Sequence, residues 1–172
     1  LKDLAEPNEG VIRAIENADL IVIGPGSLRT GIISVLLAEG VSDAIARSKA
    51  KKVYICNIMT HPGQTDEFTS SMHIRELKKY CNVKLDCVLI NTETPSDAIL
   101  EAYRKDGAKQ VFIDDMDEVL DKDCRVIKDN FVSYFDPSEL QNMRRSTNER
   151  MPAFPHFVRH DSKKLTKTLM SL

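Results

Sequence analysis

The sequence predicts an α/β fold, a mostly parallel sheet with helices on both sides, and three observations carry that reading. Four β-rich apolar runs recur along the chain, at Leu20–Ile23, Val53–Asn57, Asp86–Asn91 and Gln110–Ile113. Glycine, proline or polar residues close the runs, and segments with helical spacing separate them. Strands that are apolar on both faces and alternate with helices belong to parallel sheets, because the crossover helices cover both surfaces.

Taken in order, Leu1–Gly10 contains a loop-like P-N-E-G, after which Val11, Ile12 and Ile15 read as a short helix. Leu20–Ile23 is too short for a stable helix and rich in β-branched residues, so it reads as a buried strand. Gly24-Pro25-Gly26 forces a turn, and the next segment reopens with helical spacing, placing Leu28, Ile32, Val35 and Leu36 on one face. Gly40-Val41-Ser42 makes a break before a short helix carrying Ala44, Ile45 and Ala46. Lys51 and Lys52 lead into the second strand, followed by the loop Ile58–Thr65 with its Pro62-Gly63 turn. A helix striped by Ile74, Leu77 and Cys81 comes next, with Thr69, Ser70 or Ser71 as N-cap.

After the third strand, Thr94 as N-cap, Pro95 at the first helical position and Asp97 near the positive helix end start the helix Ser96–Lys105, which Gly107 can close. Asp114–Glu118 reads as the solvated start of a helix before Val119 and Leu120. Arg125–Lys128 and Phe131–Phe135 look like late strands, and Pro137–Pro155 is a polar, basic stretch expected to be a mobile excursion. Asp161 then caps a final helix with Leu165, Leu169 and Leu172 on one side.

With 172 residues, 42% of them hydrophobic and 29% charged, the chain suits one domain of ordinary size. A net charge of −2 gives no electrostatic case for nucleic acid, and Lys163, Lys164 and Lys167 read as one solvated helix face. No apolar run approaches the roughly 20 residues of a membrane span, and the amino terminus lacks signal-peptide regions, so a cytoplasmic location is expected. Cys56, Cys81, Cys87 and Cys124 show no C-x-x-C spacing and read as reduced thiols.

In parallel βα units the loops after the strands share one edge, so Gly24–Ser27, Asn57–Thr65 and Asn91–Thr94 should line one crevice. Gly24 and Gly26 let the backbone approach a ligand, and the N–H groups of Gly26, Ser27 and Leu28 open the next helix, where an anion is well placed. The candidate ligand-binding residues are therefore Gly24, Pro25, Gly26, Ser27, Leu28, Asn57, Thr60 and Asn91. No nucleophile stands out, since Ser27 has no neighbouring histidine and G-P-G-S-L is not a G-x-S-x-G elbow. His61 and His73 read as polar loop or helix residues before acid–base groups. Asp114–Glu118 lacks the glycine and spacing of a calcium loop, and His156 and His160 fall on extended chain, so neither pattern predicts a metal. These residues predict a phosphate-bearing ligand in a crevice.

The stretches A-D-L-I-V-I-G-P-G-S-L, A-R-S-K-A-K-K-V-Y-I-C-N-I-M-T-H-P-G-Q-T-D and V-R-H-D-S-K-K-L resemble the CofD-like proteins, in their gluconeogenesis-factor (YvcK-like) branch. The resemblance covers most of the chain. It implies a Rossmann-like three-layer sandwich, a cytoplasmic bacterial protein, and a role in growth on gluconeogenic carbon, cell shape and peptidoglycan precursor supply. It also implies binding of a UDP-sugar such as UDP-N-acetylglucosamine. A related enzyme, 2-phospho-L-lactate transferase, moves a phospholactyl group from a guanosine diphosphate donor to a deazaflavin. On that alternative the chain would be a transferase of phosphorus-containing groups, using Mg²⁺ with Asp66 as its weak candidate contact. The absence of an evident acid–base or metal constellation favours binding and regulation over transfer, and a homo-oligomer is compatible with either. Arg29, Gly31, His61 and Gln64 depart from the branch's usual residues, which leaves ligand preference open. Family members begin with a strand and a G-G-G-T-G loop that this sequence does not contain, so residues 1–172 are expected to form a single domain lacking its amino-terminal glycine-loop half.

Overall fold

The computed structural model describes residues 7–134 and 158–172. The expected excursion at Pro137–Pro155 and His156 lie outside these residues. Four strands, β1 (Leu20–Ile23), β2 (Lys51–Ile55), β3 (Cys87–Asn91) and β4 (Arg125–Asp129), form one sheet in that order. All three pairings are parallel, with Val22 opposite Val53, Val53 opposite Cys87 and Cys87 opposite Arg125. A two-stranded antiparallel ribbon, β5 (Val132–Tyr134) with β6 (Val158–His160), stands apart from it.

The period of two along a strand explains why the inner strands are apolar at every position. Tyr54, Val88 and Ile90 point to one face, where they meet Leu28, Leu36, Ile45, Ile74 and Leu77 from the connecting helices. Val53, Ile55, Cys87 and Leu89 point to the other, where they meet Phe131 and Leu165. Helices α3 (Val41–Arg47) and α4 (Ser70–Tyr80) thus supply the first outer layer, and α6 (Ser162–Leu169) the second. The sheet is the middle layer of an α/β/α sandwich, as the sequence predicts.

Helix starts follow local chemistry. The Asn8 side chain accepts from the Gly10 N–H at the start of α1 (Glu9–Glu16). Thr69 caps α4 through its hydroxyl, and Asp161 caps α6 by accepting from the N–H groups of Lys163 and Lys164. Gly40, with φ of +76°, provides the left-handed turn before α3 that a residue with a Cβ rarely adopts. All four cysteines are free thiols, and burial raises each of them, Cys56 to about 12 and Cys124 to about 11.

Four expectations need correction. The segment after the glycine turn opens as a π-helical turn, Leu28–Ile33, before the short α2 (Ser34–Leu36). The Ile32 N–H reaches back five residues to the Ser27 carbonyl at 2.9 Å, and the wider turn carries Ile33 inward while Val35 stays 61% exposed. Gln110–Ile113 is not a sheet strand. It makes isolated bridges, Gln110 with Met59 and Phe112 with Thr69, leaving Phe112 69% exposed, and β4 takes the fourth place in the sheet. Helix α5 (Asp97–Lys105) starts one residue after the expected Ser96, which is its N-cap in place of Thr94, because its first bond runs from the Leu100 N–H to the Ser96 carbonyl. Asp114–Glu118 is no helix start either, since Asp114 serves another helix, described below.

Leu165 is buried, and Leu169 and Leu172 pack beside it against the second face of the sheet. A Leu→Ala change at such a position costs about 2–5 kcal/mol. Leu165→Ala should therefore lower the thermal midpoint clearly, as read by circular dichroism. An unchanged midpoint would mean that α6 does not hold the sheet.

Candidate ligand cleft at the strand ends

The carboxyl ends of β1 and β2 open into a cleft of about 430 Å³. Pro25, Gly26 and Ser27 from the loop after β1 and Asn57–Pro62 from the loop after β2 form one side. Tyr103 and Ala108 from α5 and its end, with Val158, Arg159 and His160 from β6, form the other. The walls combine an apolar surface at Ile58, Met59, Tyr103 and Val158 with polar groups at Ser27, Asn57, His61 and Arg159. That mixture suits a ligand that pairs a ring system with polar or charged groups.

The two strand-end loops are tied to each other. The Asn57 side chain accepts from the Gly26 N–H at 3.2 Å and donates to the Gly26 carbonyl at 2.8 Å. This reciprocal pair fixes one peptide of the glycine turn against the end of β2. The Gly26 N–H, expected to face an anion, is in this conformation engaged by Asn57. Gly31 and Ile32 both donate to the Ser27 carbonyl, so the amides of Leu28, Arg29 and Thr30 precede the first intrahelical bond.

The two glycines play different parts. Gly24 has φ of +79°, and a Cβ there would lie 3.0 Å from the Ile55 carbonyl oxygen and 3.2 Å from Ile32 Cδ1. A Cβ on Gly26 would meet only Ile32 Cγ1, at 3.9 Å. Gly24 is thus required by the fold, whereas Gly26 leaves space.

A second network steadies the same loop. The Ser27 hydroxyl donates to Gln64 Oε1 at 2.7 Å and lies 2.7 Å from the Thr30 hydroxyl. Arg29 Nε donates to the Gln64 carbonyl, and its guanidinium pairs at 3.0 Å with Glu76, a buried carboxylate of α4 that also meets Lys79. Arg29 and Gln64, two of the positions that depart from the branch's usual residues, therefore work as one unit.

The other sequence candidates fall in different places. Thr60 lines the cleft, and its hydroxyl accepts from the Lys109 N–H at 2.9 Å while its own N–H donates to the Lys109 carbonyl. Pro25 lines it as well, but Leu28 is fully buried in the core beneath it. Asn91 is buried at the end of β3, where its amide holds Glu93 and accepts from the Phe131 N–H at 3.0 Å, so it shapes the neighbouring ribbon. The third loop does not line the cleft. Asp66 accepts from the Gly63 N–H at 2.9 Å, the adjacent Glu67 pairs with Lys109, and neither carboxylate lines the cleft. His73 is fully buried on α4, with Nδ1 2.9 Å from the Thr69 carbonyl, and burial lowers its pKa, so it is not a cleft acid. Burial holds His160 down to about 4, neutral at ordinary pH. Cys56 is buried in the core and is not part of the cleft lining, and burial keeps it as a thiol.

The sequence of residues 2–132 matches the family model of 2-phospho-L-lactate transferase CofD. The chain belongs to the CofD family. Similar curated proteins include the gluconeogenesis factor of Halalkalibacterium halodurans, 44% identical over 66% of this chain and 35% of that protein. Another is the gluconeogenesis factor of Bacillus subtilis, 38% identical over 75% of this chain and 41% of that protein. A crystal structure of a Bacillus halodurans member of the UPF0052 family superposes with a TM-score of 0.79 at 33% identity, over 96% of this chain and 46% of that one. The CofD-family chain thus spans less than half the length of these relatives. Among the described residues no helix is long and apolar enough to cross a membrane.

The residues of the cleft that lie outside the loops expected to line it are Tyr103, Ala108, Val158, Arg159 and His160. A signal existed for Arg159 and His160, which stand inside the quoted stretch V-R-H-D-S-K-K-L. None existed for Tyr103, whose hydroxyl accepts from the Val158 N–H at 3.2 Å across a separation of 55 residues.

Helix α4 flanks the cleft, and Asp114 holds its start. This carboxylate accepts from the hydroxyls of Thr69, Ser70 and Ser71 and from the Ser71 N–H, at 2.5–2.8 Å. Burial alone would raise its pKa, but these hydrogen bonds outweigh burial and hold the carboxyl well below the usual range. The sign follows from the depressed folded value. Asp114 stabilises the fold fully above about pH 4, and the contribution is lost as pH falls through the lowered value. Asp114→Ala should cost on the order of 2 kcal/mol near neutral pH. Urea melts of parent and variant should converge as pH drops below 3 or so; a gap that stays constant would contradict the assignment.

Proposed function

We propose that this CofD-family chain forms part of a nucleotide-sugar binding site in a regulatory protein of the gluconeogenesis-factor type. The observation that carries the reading is the cleft itself, at the carboxyl ends of parallel strands, where α/β sheets bind their ligands. Its glycine turn presents backbone next to the start of a helical segment, which suits a diphosphate, and Arg159 adds positive charge. Tyr103, Met59 and Ile58 offer an apolar wall for a ring. In this reading Pro25, Gly26, Ser27, Asn57 and Thr60 form the phosphate side, and Gly24, Leu28 and Asn91 support it from behind. The ligand class is a UDP-sugar of the UDP-N-acetylglucosamine type. A role in carbon metabolism is supported by the gluconeogenesis-factor relatives, while cell shape, peptidoglycan precursor supply and a cytoplasmic location rest on the resemblance alone. The chain would act as the carboxyl-terminal portion of the whole binding domain.

The family model's own description favours a second reading, transfer of a phosphorus-containing group. It asks for a group that moves a proton or for a metal at the transferred phosphate. Cys56 held as a thiol, His160 held neutral and Asp66, which accepts from the Gly63 N–H, supply little of this. Binding and regulation is therefore the reading advanced.

Calorimetric titration of the full-length protein against UDP-N-acetylglucosamine, a GDP-linked donor and a deazaflavin separates the two. Gly26 lines the cleft and an added Cβ has room in the fold, so Gly26→Val should remain folded and lose measurable UDP-sugar binding. Ser27→Ala should weaken binding by roughly 0.5–1.5 kcal/mol, the net worth of one hydrogen bond. Parent-like affinity in Gly26→Val would place the phosphates elsewhere.

A further inference from the structure

Two asparagines stand at the ends of neighbouring strands, and their side-chain amides are held in unlike ways. Asn91, the last residue of β3, is buried. Its Oδ1 accepts from the Phe131 N–H at 3.0 Å and from the Glu93 N–H at 3.3 Å, while its Nδ2 donates to the Glu93 carbonyl at 2.8 Å. Phe131 is buried as well, so withdrawing that acceptor would leave a buried donor unpaired. The Asn91 amide is fixed.

Asn57, just beyond β2, is half-buried and lines the cleft together with the exposed Gly26. Its two bonds to that residue are unequal. Nδ2 donates to the Gly26 carbonyl at 2.8 Å, whereas the Gly26 N–H reaches Oδ1 across 3.2 Å, the outer end of the range for such bonds. Among the described residues Oδ1 receives no second donor. Because this contact is open to water, exchanging one acceptor for another at the Gly26 N–H leaves nothing buried and unpaired. A neutral amide oxygen is also the weaker kind of acceptor, since hydrogen bonds to charged groups are roughly twice as strong as neutral ones. A phosphate oxygen has that advantage over Oδ1; a sugar hydroxyl or a base carbonyl does not.

We propose that Asn57 is a specificity-determining residue of the cleft, a resident acceptor that only an anionic oxygen of the ligand displaces from the Gly26 N–H, while Nδ2 stays on the Gly26 carbonyl and holds the turn in place. This rests on the reading that the ligand's phosphates lie at the glycine turn, and adds what selects them there. Nucleosides and free sugars offer no charge and leave the reciprocal pair intact. The cleft therefore discriminates by charge at Gly26 independently of what its apolar wall prefers.

Amide NMR on the full-length protein reads the exchange of acceptors directly, with UDP-N-acetylglucosamine as the charged probe and uridine and N-acetylglucosamine as the neutral ones. The Gly26 amide proton should move downfield with the charged probe alone. Asn57→Asp supplies a second readout, because its carboxylate keeps an acceptor at the Gly26 N–H that also repels the probe. Affinity for UDP-N-acetylglucosamine should fall about ten- to a hundredfold at pH 7, the worth of a hydrogen bond to a charged group. Near pH 4 that carboxyl is about half protonated and regains a donor for the Gly26 carbonyl, while the diphosphate stays ionised, so part of the loss should be recovered. Dividing by the parent's affinity at each pH removes the titration of His61 and His160, which also line the cleft. A loss that is the same at both pH values would mark a structural lesion and overturn the proposal. A charged probe that shifts the Ser27 and Tyr103 signals but leaves the Gly26 amide unmoved would overturn it too, with the cleft assignment left standing. Equal Gly26 shifts with uridine would overturn the selectivity. Absence of any binding of UDP-N-acetylglucosamine by the parent would overturn the cleft assignment and the proposal together.

Discussion

Two hydrogen bonds between one side-chain amide and one peptide organise the binding end of this chain. Asn57 stands just beyond β2 and grips both the N–H and the carbonyl of Gly26, just beyond β1. Parallel strands fix the positions of their ends but not the paths of the loops that leave them. An amide that donates from one atom and accepts at another sets both the distance and the orientation of the glycine turn, whereas a hydroxyl does both through a single oxygen and a carboxylate only accepts. The neighbouring contacts build on that setting. Ser27 reaches Gln64, Gln64 is held by Arg29, and Arg29 is anchored on the buried carboxylate of Glu76, so the turn is braced from the strand side and from the helix side.

Beneath the loops, the sheet is stable because both of its surfaces are covered. Adjacent residues of β2 serve different cores, Tyr54 packing with Leu28 and Ile74, and Val53 and Ile55 with Phe131 and Leu165. This is why the strands were legible in the sequence. A run apolar at every position has one economical explanation in a chain of alternating strands and helices. Caps were legible for a similar reason, since Asp161 and Thr69 act on donors two or three residues away. Family resemblance covered the same ground from another direction, and the Rossmann-like layering follows from either.

What was not legible depended on distant partners. Gln110–Ile113 has strand composition, yet sheet position is decided by which segment reaches β3, and Arg125–Asp129 does. Val35 fits an α-helical stripe, but the π-helical turn ahead of it shifts the phase, and nothing in the local spacing announces that turn. The first two loops, which glycine and proline mark in the sequence, border one cleft. The opposite wall, Tyr103 with Val158 and Arg159, is assembled by a helix and a ribbon far apart in sequence. Asn91 ends its strand as Asn57 does, and the same residue type in the same position holds Phe131 instead of a cleft loop. Spacing identifies a strand end; only packing decides which way its side chain is spent.

Asp114 carries a lesson about the order in which the chain organises itself. The hydroxyls and the amide that it receives belong to residues 43–45 positions earlier. Helix α4 has a local cap in Thr69, but its anionic anchor arrives only after β3 and α5 have been laid down between them. Docking of this anchor must therefore bear the entropy of closing a loop of that length, a cost that grows only slowly with length but that no local propensity offsets. Contacts of such sequence separation also slow folding relative to helices that complete themselves within a few residues. The start of α4 is thus completed only when the turn at Asp114 is in place, which ties a helix begun early in the sequence to a segment that follows much later.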